Sequence, residues 1–216
     1  MEILKANQIA EAAAYLRQGK VIAHPTEAVF GLACDPDNID AVSRLLQIKH
    51  RALNKGFIVI GANWEQIEPL VNYLKPDLLT QVFETWPGPT TWLFPASEHV
   101  PFWVKGEHEA VAVRVTAHPV AKALCEQFGG PLISTSCNRS GDPPARDIRT
   151  IQITLRDTVD YVIDVLISNL GHSQRESEGI VLESLHEGLI YIDDIKKKGE
   201  NVYIALTEYG EEEWIG

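Results

Sequence analysis

Residues 131–141 read PLISTSCNRSG, a short apolar run followed at once by hydroxyls, an amide and a glycine. The apolar run PLI predicts a buried strand, and the polar residues after it predict a loop that leaves the strand. Donors gathered in such a loop suit a phosphate or a carboxylate. The stretch therefore predicts an anion-binding loop that follows a strand.

A second segment, residues 49–55, is expected to meet the first. It reads KHRALNK, and it places the cations Lys49, Arg51 and Lys55 close together. Fixed positive charge beside a donor-rich loop favours an anionic ligand. A second explanation stays open for Lys49, because a cation at a helix C-terminus also complements the helix dipole.

Hydrophobic periodicity around these two segments predicts a succession of helices and strands. The predicted helices are residues 7–18 with Asn7 as the cap, 39–48 with Asp37 or Asn38 as the cap, 64–71, 77–84 and 118–128. The predicted strands are residues 21–23, 56–60, 90–95, 111–115, 131–133, 160–165 and 188–193, and residues 96–106 are predicted to form a loop.

Two positions on the predicted strands leave alternatives open. Pro25 is expected to stop strand pairing, so that Thr26 and Glu27 stand at the mouth of a strand, a common place for ligand contacts. Thr26 either contacts a ligand there or satisfies a local backbone group. Arg114 interrupts an apolar strand. An unpaired guanidinium in a core costs several kcal/mol, so Arg114 is expected either to form a structural ion pair or to bind an anion in a cavity.

Composition limits the class of protein. The chain has 216 residues, 45% of them apolar, which favours one domain, alone or with a short appendage. It has no apolar run near 18 residues and no signal-peptide pattern at its start, so a soluble, cytoplasmic protein is expected, without a membrane partner. Three widely spaced cysteines fit reduced thiols, and the seven histidines show no metal-ligand spacing, so no metal cage is predicted.

Charge is unevenly divided along the chain. The net charge is −11, but the first 150 residues carry 14 Lys and Arg against 16 Asp and Glu, while the last 66 carry 5 against 14. An overall acidic protein is a poor general binder of nucleic acid. A nearly neutral body can nevertheless contain a local basic cleft.

Five separated motifs carry a resemblance to a known family. They are HPTEAVFG (24–31), Lys49-x-Arg51 with Lys55-Gly56, WPGPT (86–90), AVR (112–114) with His118-Pro119, and STSCNRSG (134–141). In this order, over roughly residues 8–147, they resemble the YrdC/Sua5/TsaC family of threonylcarbamoyl-AMP synthases. Where many members have tyrosine before Pro-Thr-Glu, this chain has His24.

The resemblance implies a fold and a reaction. The fold is a YrdC-like α/β (α+β in some schemes) domain, in which a twisted mixed sheet flanked by helices surrounds a deep, positively charged cavity. The reaction joins L-threonine, bicarbonate and ATP into threonylcarbamoyl-adenylate with release of pyrophosphate, for t6A at position 37 of tRNA. ATP is then a substrate, with Mg²⁺ expected on its phosphates, and the TsaD/TsaB/TsaE machinery is the implied recipient of the product.

The resemblance also implies roles for particular residues. The expected catalytic residues are Lys49 and Arg51. The expected ATP and phosphate contacts are Arg51, Lys55, Ser136 and Asn138, and the expected threonine contacts are Thr26, Arg114, Ser134 and Ser177.

The C-terminal third departs from the family pattern. Ser177 lies in ESEGI (176–180), where members usually carry a Pro-Ser-containing motif. We expect a YrdC-like domain over residues 1–194 and a divergent acidic extension over 195–216. Because of this departure, two alternatives stay open. The first is a protein related to YciO that binds double-stranded RNA, tRNA or the ribosome and lacks synthase activity. The second is a plain nucleotide-binding scaffold, whose ATP binding would not depend on threonine.

Overall fold

The computed structural model describes residues 1–72, 76–164 and 203–204. The strands are β1 (Glu2–Lys5), β2 (Ile22–Pro25), β3 (Phe30–Cys34), β4 (Ile58–Gly61), β5 (Trp92–Pro95), β6 (Ala110–Val115), β7 (Leu132–Ser136), β8 (Tyr161–Asp164) and β9 (Tyr203–Ile204). The helices are α1 (Ile9–Arg17), α2 (Ile39–Lys49), α3 (Trp64–Ile67), α4 (Pro76–Thr85), α5 (Phe102–Lys105), α6 (Pro119–Phe128) and α7 (Ile148–Thr154). Short 3₁₀ turns cover Ala6–Gln8, Leu53–Lys55 and Glu68–Leu70.

The strands form one mixed sheet in the order β1-β8-β2-β3-β7-β4-β6-β5-β9. The pairs β1–β8, β2–β8 and β4–β6 are parallel, and the other neighbouring pairs are antiparallel. A mixed sheet flanked by helices confirms the predicted α/β class. The division at residue 194 stays a prediction, although β9, within the predicted extension, pairs with β5.

Helices cover both faces of the sheet, so neighbouring residues on a strand enter different cores. Val59, Val113 and Ile133 pack with α2 in one core, whereas Ile58, Ala112 and Leu132 pack with α1 and α6 in the other. Strands buried on both faces have continuous apolar sequences, which is why FIVI and AVAV could be recognised as strands.

The polar positions of the central strands follow the same alternation. Arg114 is two residues beyond Ala112, and Ser134 and Ser136 continue the row that begins at Leu132. Side chains two residues apart share a face of a strand. The α1–α6 face is therefore apolar at one end of these strands and polar at the other.

Five local predictions were wrong. Strand β7 continues through Ser136, because it pairs with β3 where a loop was expected, and Pro25 belongs to β2, paired with Phe30. Helix α1 begins at Ile9 after a 3₁₀ turn, without the expected cap at Asn7, and the expected loop over residues 96–106 contains α5. Residues 64–71 form a short α3 and a 3₁₀ turn instead of one helix, because Pro69 lacks the N–H that a continuing α-helix needs.

Other local predictions are confirmed. Asn38 caps α2, since its Oδ1 accepts hydrogen bonds from the backbone N–H groups of Asp40 and Ala41. His118 is the N-cap residue of α6, and Lys49 ends α2 just before the turn toward β4. The predicted strand at 188–193 lies outside the described residues. No helix among the residues that the structure describes could span a membrane.

Candidate active site

A cleft opens on the polar end of the α1–α6 face. It has an empty volume of about 530 Å³, which includes the solvent at its open mouth. The turn between β2 and β3 borders it on one side, and the ends of β6 and β7 border it on the other. Of the residues predicted to bind ligands, Thr26, Arg114, Ser134 and Ser136 line this cleft.

Thr26 begins the turn that borders the cleft. Its backbone N–H and its hydroxyl both donate to the carbonyl of Val29, at 3.2 and 2.7 Å. The local backbone role that the sequence left open is therefore present, and Thr26 also faces the cleft. Because the hydroxyl proton is used within the turn, Thr26 offers its oxygen lone pairs to a ligand.

Arg114 forms the ion pair that the sequence left open, and it also lines the cleft. Its Nε donates to Thr91 Oγ1 at 2.8 Å, and its Nη1 lies 3.6 Å from Glu27 Oε2. The guanidinium side chain is 14% exposed. Since a guanidinium has five N–H donors in a planar fork, these two contacts orient it and are compatible with a carboxylate bound in the cleft.

Glu27 lines the cleft too; it was expected at the strand mouth, but no ligand was assigned to it. Its Oε1 accepts hydrogen bonds from Thr116 Oγ1 at 2.6 Å and from the backbone N–H groups of Ala117 and His118 at 2.9 and 3.2 Å. Burial would raise the pKa of this carboxyl, but the Arg114 charge and the Thr116 hydrogen bond outweigh burial and hold the pKa below its ordinary value. Glu27 thus joins the β2–β3 turn to the end of β6 and the start of α6.

His24 is a second residue that the site prediction missed. The ring is fully buried, with Nδ1 3.1 Å from the carbonyl oxygen of Pro25 and Nε2 3.2 Å from Ser134 Oγ. Burial, followed by the charge of nearby His118, lowers the pKa of His24 to about 4. The side chain is therefore neutral near pH 7. It stands behind Ser134, which faces the cleft.

Lys49 joins the two segments that were expected to meet. Its ammonium donates to Ser136 O at 2.7 Å, to Ser136 Oγ at 3.2 Å and to Asn138 Oδ1 at 2.9 Å. Ser136 Oγ also donates to Asn138 Oδ1 at 2.6 Å, and the N–H of Ser140 donates to the Lys49 carbonyl at 2.8 Å. The structure thus brings residues 49–55 and 131–141 together through direct hydrogen bonds.

Lys49 lies in a buried environment. The side chain is 2% exposed, and burial, followed by the charge of Arg51, lowers its pKa to about 7. An ammonium group has three N–H donors. Lys49 donates to three acceptors of the protein, and it thereby holds Ser136, at the end of the polar row of β7, in place.

Arg51 and Lys55 lie outside the set of side chains that line the cleft. Arg51 donates to the carbonyls of Lys55 and Gly56 at 3.3 and 3.0 Å, and its guanidinium carbon lies 5.6 Å from the centre of the Phe57 ring. Burial lowers the pKa of Arg51 to about 10. Lys55 ends the 3₁₀ turn with an exposed side chain. The predicted threonine contact Ser177 lies outside the described residues.

The three cysteines, Cys34, Cys125 and Cys137, are buried free thiols. No three His, Cys, Asp or Glu side chains come together as a metal cage within residues 1–72 and 76–164. The polar chemistry described for the cleft is therefore that of hydroxyls, one carboxylate, one guanidinium and a supporting lysine.

Gly31 gives a first test of this geometry. A Cβ added there would lie 3.0 Å from both His24 Nε2 and Ser134 Oγ, and 3.2 Å from Thr26 Cγ2. We therefore expect Gly31→Ala to separate His24 from Ser134 and to weaken ligand binding in the cleft by about tenfold, at a cost of about 1–3 kcal/mol in stability. Calorimetric titration would measure the ligand affinity, and urea unfolding would measure the free energy of unfolding. Unchanged ligand affinity would contradict the geometry described for the cleft.

Comparison with known proteins places this chain in a family. The Sua5/YciO/YrdC family model, described as "Telomere recombination", matches residues 14–175. A threonylcarbamoyl-AMP synthase of Coxiella burnetii is 53% identical over 156 residues, covering 72% of this chain and 84% of that protein. One of Cellvibrio japonicus is 52% identical over 151 residues, covering 70% and 80%.

Solved structures agree. The crystal structure of P. abyssi Sua5 complexed with L-threonine superposes with a TM-score of 0.72 at 31% identity. The match covers 76% of this chain and 50% of the P. abyssi chain. The predicted family resemblance is therefore confirmed: with a family model over most of its length and relatives that share half of their aligned residues with it, this chain belongs to the Sua5/YciO/YrdC family.

Proposed function

We propose that this chain is a threonylcarbamoyl-AMP synthase, a nucleotidyltransferase that acts in tRNA modification. It forms L-threonylcarbamoyladenylate from L-threonine, bicarbonate and ATP, and it releases pyrophosphate. The observation that carries the proposal is that Lys49 joins the two predicted segments beside one cleft. Over the aligned residues, the chain is also about half identical to proteins of that name. The same identity favours the synthase over the RNA-binding alternative.

The cleft suits an amino acid. Arg114 is a donor placed for a carboxylate, and Thr26 and Ser134 are hydroxyls placed for the remaining polar groups. Ser136 lies next in the row and is hydrogen-bonded to Lys49 and Asn138. On the resemblance, ATP is assigned to Ser136 and Asn138 together with Arg51 and Lys55. Ser177 is assigned to threonine on the resemblance alone.

The chemistry needs positioning more than a protein nucleophile. The threonine amine attacks the carbon of bicarbonate, water leaves, and a carbamate forms. A carbamate oxygen then attacks the α-phosphorus of ATP, and pyrophosphate leaves with the bonding electrons. All reactants are anionic or carry anionic groups, so fixed cations and oriented donors lower the barrier by bringing them together.

ATP enters this scheme as the substrate, with Mg²⁺ on its phosphate oxygens, which are the ligands that this ion prefers. A cytoplasmic location and transfer of the product to a TsaD/TsaB/TsaE machinery that modifies position 37 of tRNA belong to the same proposal. Direct binding of tRNA or double-stranded RNA is the property by which the alternative would show itself.

Arg51→Ala tests the proposal on the phosphate side. We expect threonine-dependent pyrophosphate release to fall by about 100-fold or more, because removing one oriented charge from a charge-stabilising site costs that much. The measurement is pyrophosphate release with each of the three substrates omitted in turn. The matched control is Arg156→Ala, at an exposed arginine of the loop after α7.

Three outcomes would count against this proposal. Full activity in Arg51→Ala would remove Arg51 from the site. Pyrophosphate release that does not depend on threonine would contradict the synthase reaction. Affinity for duplex RNA that needs no threonine and declines steeply with salt, without synthase activity, would support the alternative.

A further inference from the structure

His24 is a buried titratable side chain that the reaction scheme leaves without a role. It lies on β2, opposite Gly31 of β3, and its two ring nitrogens have different partners. One partner is a backbone carbonyl and the other is the hydroxyl of Ser134, which lines the cleft. The direction of each hydrogen bond follows from the chemistry of these partners.

A carbonyl oxygen can only accept a hydrogen bond, so the proton of the neutral ring must lie on Nδ1, where it is donated to Pro25 O at 3.1 Å. Nε2 is then a pure acceptor. Since it lies 3.2 Å from Ser134 Oγ, the Ser134 hydroxyl must donate its only proton to His24. The low pKa of His24 supports this step, because a protonated ring would reverse the polarity of the bond.

The pair lies in a confined space beside the cleft. Gly31 is next to both atoms, and only the absence of a Cβ leaves room for them. Ser134 is 7% exposed, and that exposure is toward the cleft. With its proton committed to His24, Ser134 can present only lone pairs to a ligand.

We propose that His24 is a positioning residue that fixes Ser134 as a hydrogen-bond acceptor for the ammonium group of the amino-acid substrate. This inference rests on the proposed function, which places L-threonine in the cleft. Arg114 supplies donors to the carboxylate in the same cleft, so the two ends of the amino acid meet groups of opposite character. After the ammonium loses a proton, the amine still donates one N–H to Ser134, and its lone pair stays available for the one-carbon unit.

Ligand analogues separate an acceptor from a donor at Ser134. The probes are L-threonine and 2,3-dihydroxybutyrate, which keeps the carboxylate and side chain but has a hydroxyl in place of the ammonium. In calorimetric titrations, His24→Leu is expected to weaken L-threonine binding by about tenfold and dihydroxybutyrate binding by less than about twofold. His24→Gln, whose amide oxygen can take the place of Nε2 as acceptor, is expected to restore most of the loss.

A double-mutant cycle tests whether His24 acts through Ser134. In the Ser134→Ala background, His24→Leu should change threonine affinity no further. Additive losses, or equal losses for both ligands, would overturn the inference. In turnover, His24→Leu should raise the KM for threonine with little change in kcat, whereas a general loss of folding would lower both the active fraction and the apparent kcat.

The tautomer can be read in the wild type, independently of any variant. Nitrogen-15 NMR of the histidine rings, with the His24 signal assigned by its absence in His24→Gln, should show a protonated Nδ1 and an unprotonated Nε2. A proton on Nε2 would overturn the inference even in a fully active synthase. A wild type without threonine-dependent pyrophosphate release would overturn the proposed function, whatever the NMR result.

Discussion

Replacing Lys49 with methionine is expected to lower threonine-dependent pyrophosphate release by about 100-fold or more. Lys49 holds the carbonyl and hydroxyl of Ser136 and the amide oxygen of Asn138 in fixed positions beside the cleft. Methionine keeps much of the volume and removes all three donors. The control is Lys122→Met, at an exposed lysine of α6.

The stability of Lys49→Met should change less than its activity. Asn138 Oδ1 keeps the hydrogen bond from Ser136 Oγ, and Ser136 O keeps the one from the backbone of Asn138 at 3.0 Å. We expect a loss of about 1–3 kcal/mol at high pH, where Lys49 is neutral, and a smaller loss at lower pH, where the substitution also relieves a buried charge. Near-normal activity in a stable Lys49→Met protein would contradict the supporting role of Lys49.

The pH dependence of stability provides an independent measurement on the same variant. The pKa of Lys49 is lowered from 10.5 to about 7 in the folded protein, so the unfolded chain binds the extra proton between these values. The contribution of Lys49 to the free energy of unfolding of the wild type should then rise with pH across this window. Below about pH 7 this contribution should be constant. Lys49→Met lacks this contribution, so the stability of the wild type relative to the variant should rise from about pH 7 to about pH 9 in urea unfolding. Parallel curves would mean that Lys49 keeps its ordinary pKa.

The segments of the site could be found from the sequence because their signals are local. The apolar run at 131–133 identified β7, and periodicity with Asn38 as a cap identified α2. Since Lys49 follows directly on that periodic pattern, its place at the end of a helix was also predictable. The order of five short motifs then identified the family, which the comparisons confirm.

The burial of Lys49 could not be predicted from its neighbours. Its three acceptors lie 87 and 89 residues away in the chain, and no local pattern separates a buried lysine from one that complements a helix dipole. The extent of β7 was missed for the same reason. Ser134 to Ser136 read as a loop by composition, and only pairing with β3, about a hundred residues earlier, makes them a strand.

His24 was missed and Glu27 was given no ligand, although both lie in a motif that the sequence singled out. The nearest residues in sequence say nothing about their functions, because Ser134 is 110 residues from His24 and the donors to Glu27 are 89 to 91 residues from it. A glutamate beside a strand end is normally solvated. Only the burial of Glu27 could have indicated its role, and burial is a property of the tertiary fold.

Glu27→Gln is expected to weaken both the fold and the threonine site. Glutamine can still accept hydrogen bonds from Thr116 and from the N–H groups of Ala117 and His118. It brings a neutral amide to Arg114, however, and the side chains of Arg114 and Glu27 are only 14% and 16% exposed. Removing the charge of one partner of a mostly buried ion pair costs about 3 kcal/mol. Because Arg114 then loses the anchor that orients it, we expect the KM for threonine to rise by about tenfold or more while kcat falls less.

Acid unfolding decides whether the Glu27 charge is the cause. Its pKa is held below the ordinary value of 4.5, so its contribution to stability is present above that pH and is lost as the pH falls through the folded pKa. The stability difference between wild type and Glu27→Gln should therefore shrink below about pH 4.5, whereas Glu126→Gln, at an exposed position of α6, should follow the wild type. If the Glu27→Gln difference stays constant into acid while the threonine KM is unchanged, the carboxylate neither pairs with Arg114 nor orients it, and the link from the β2–β3 turn to the amino-acid site is lost.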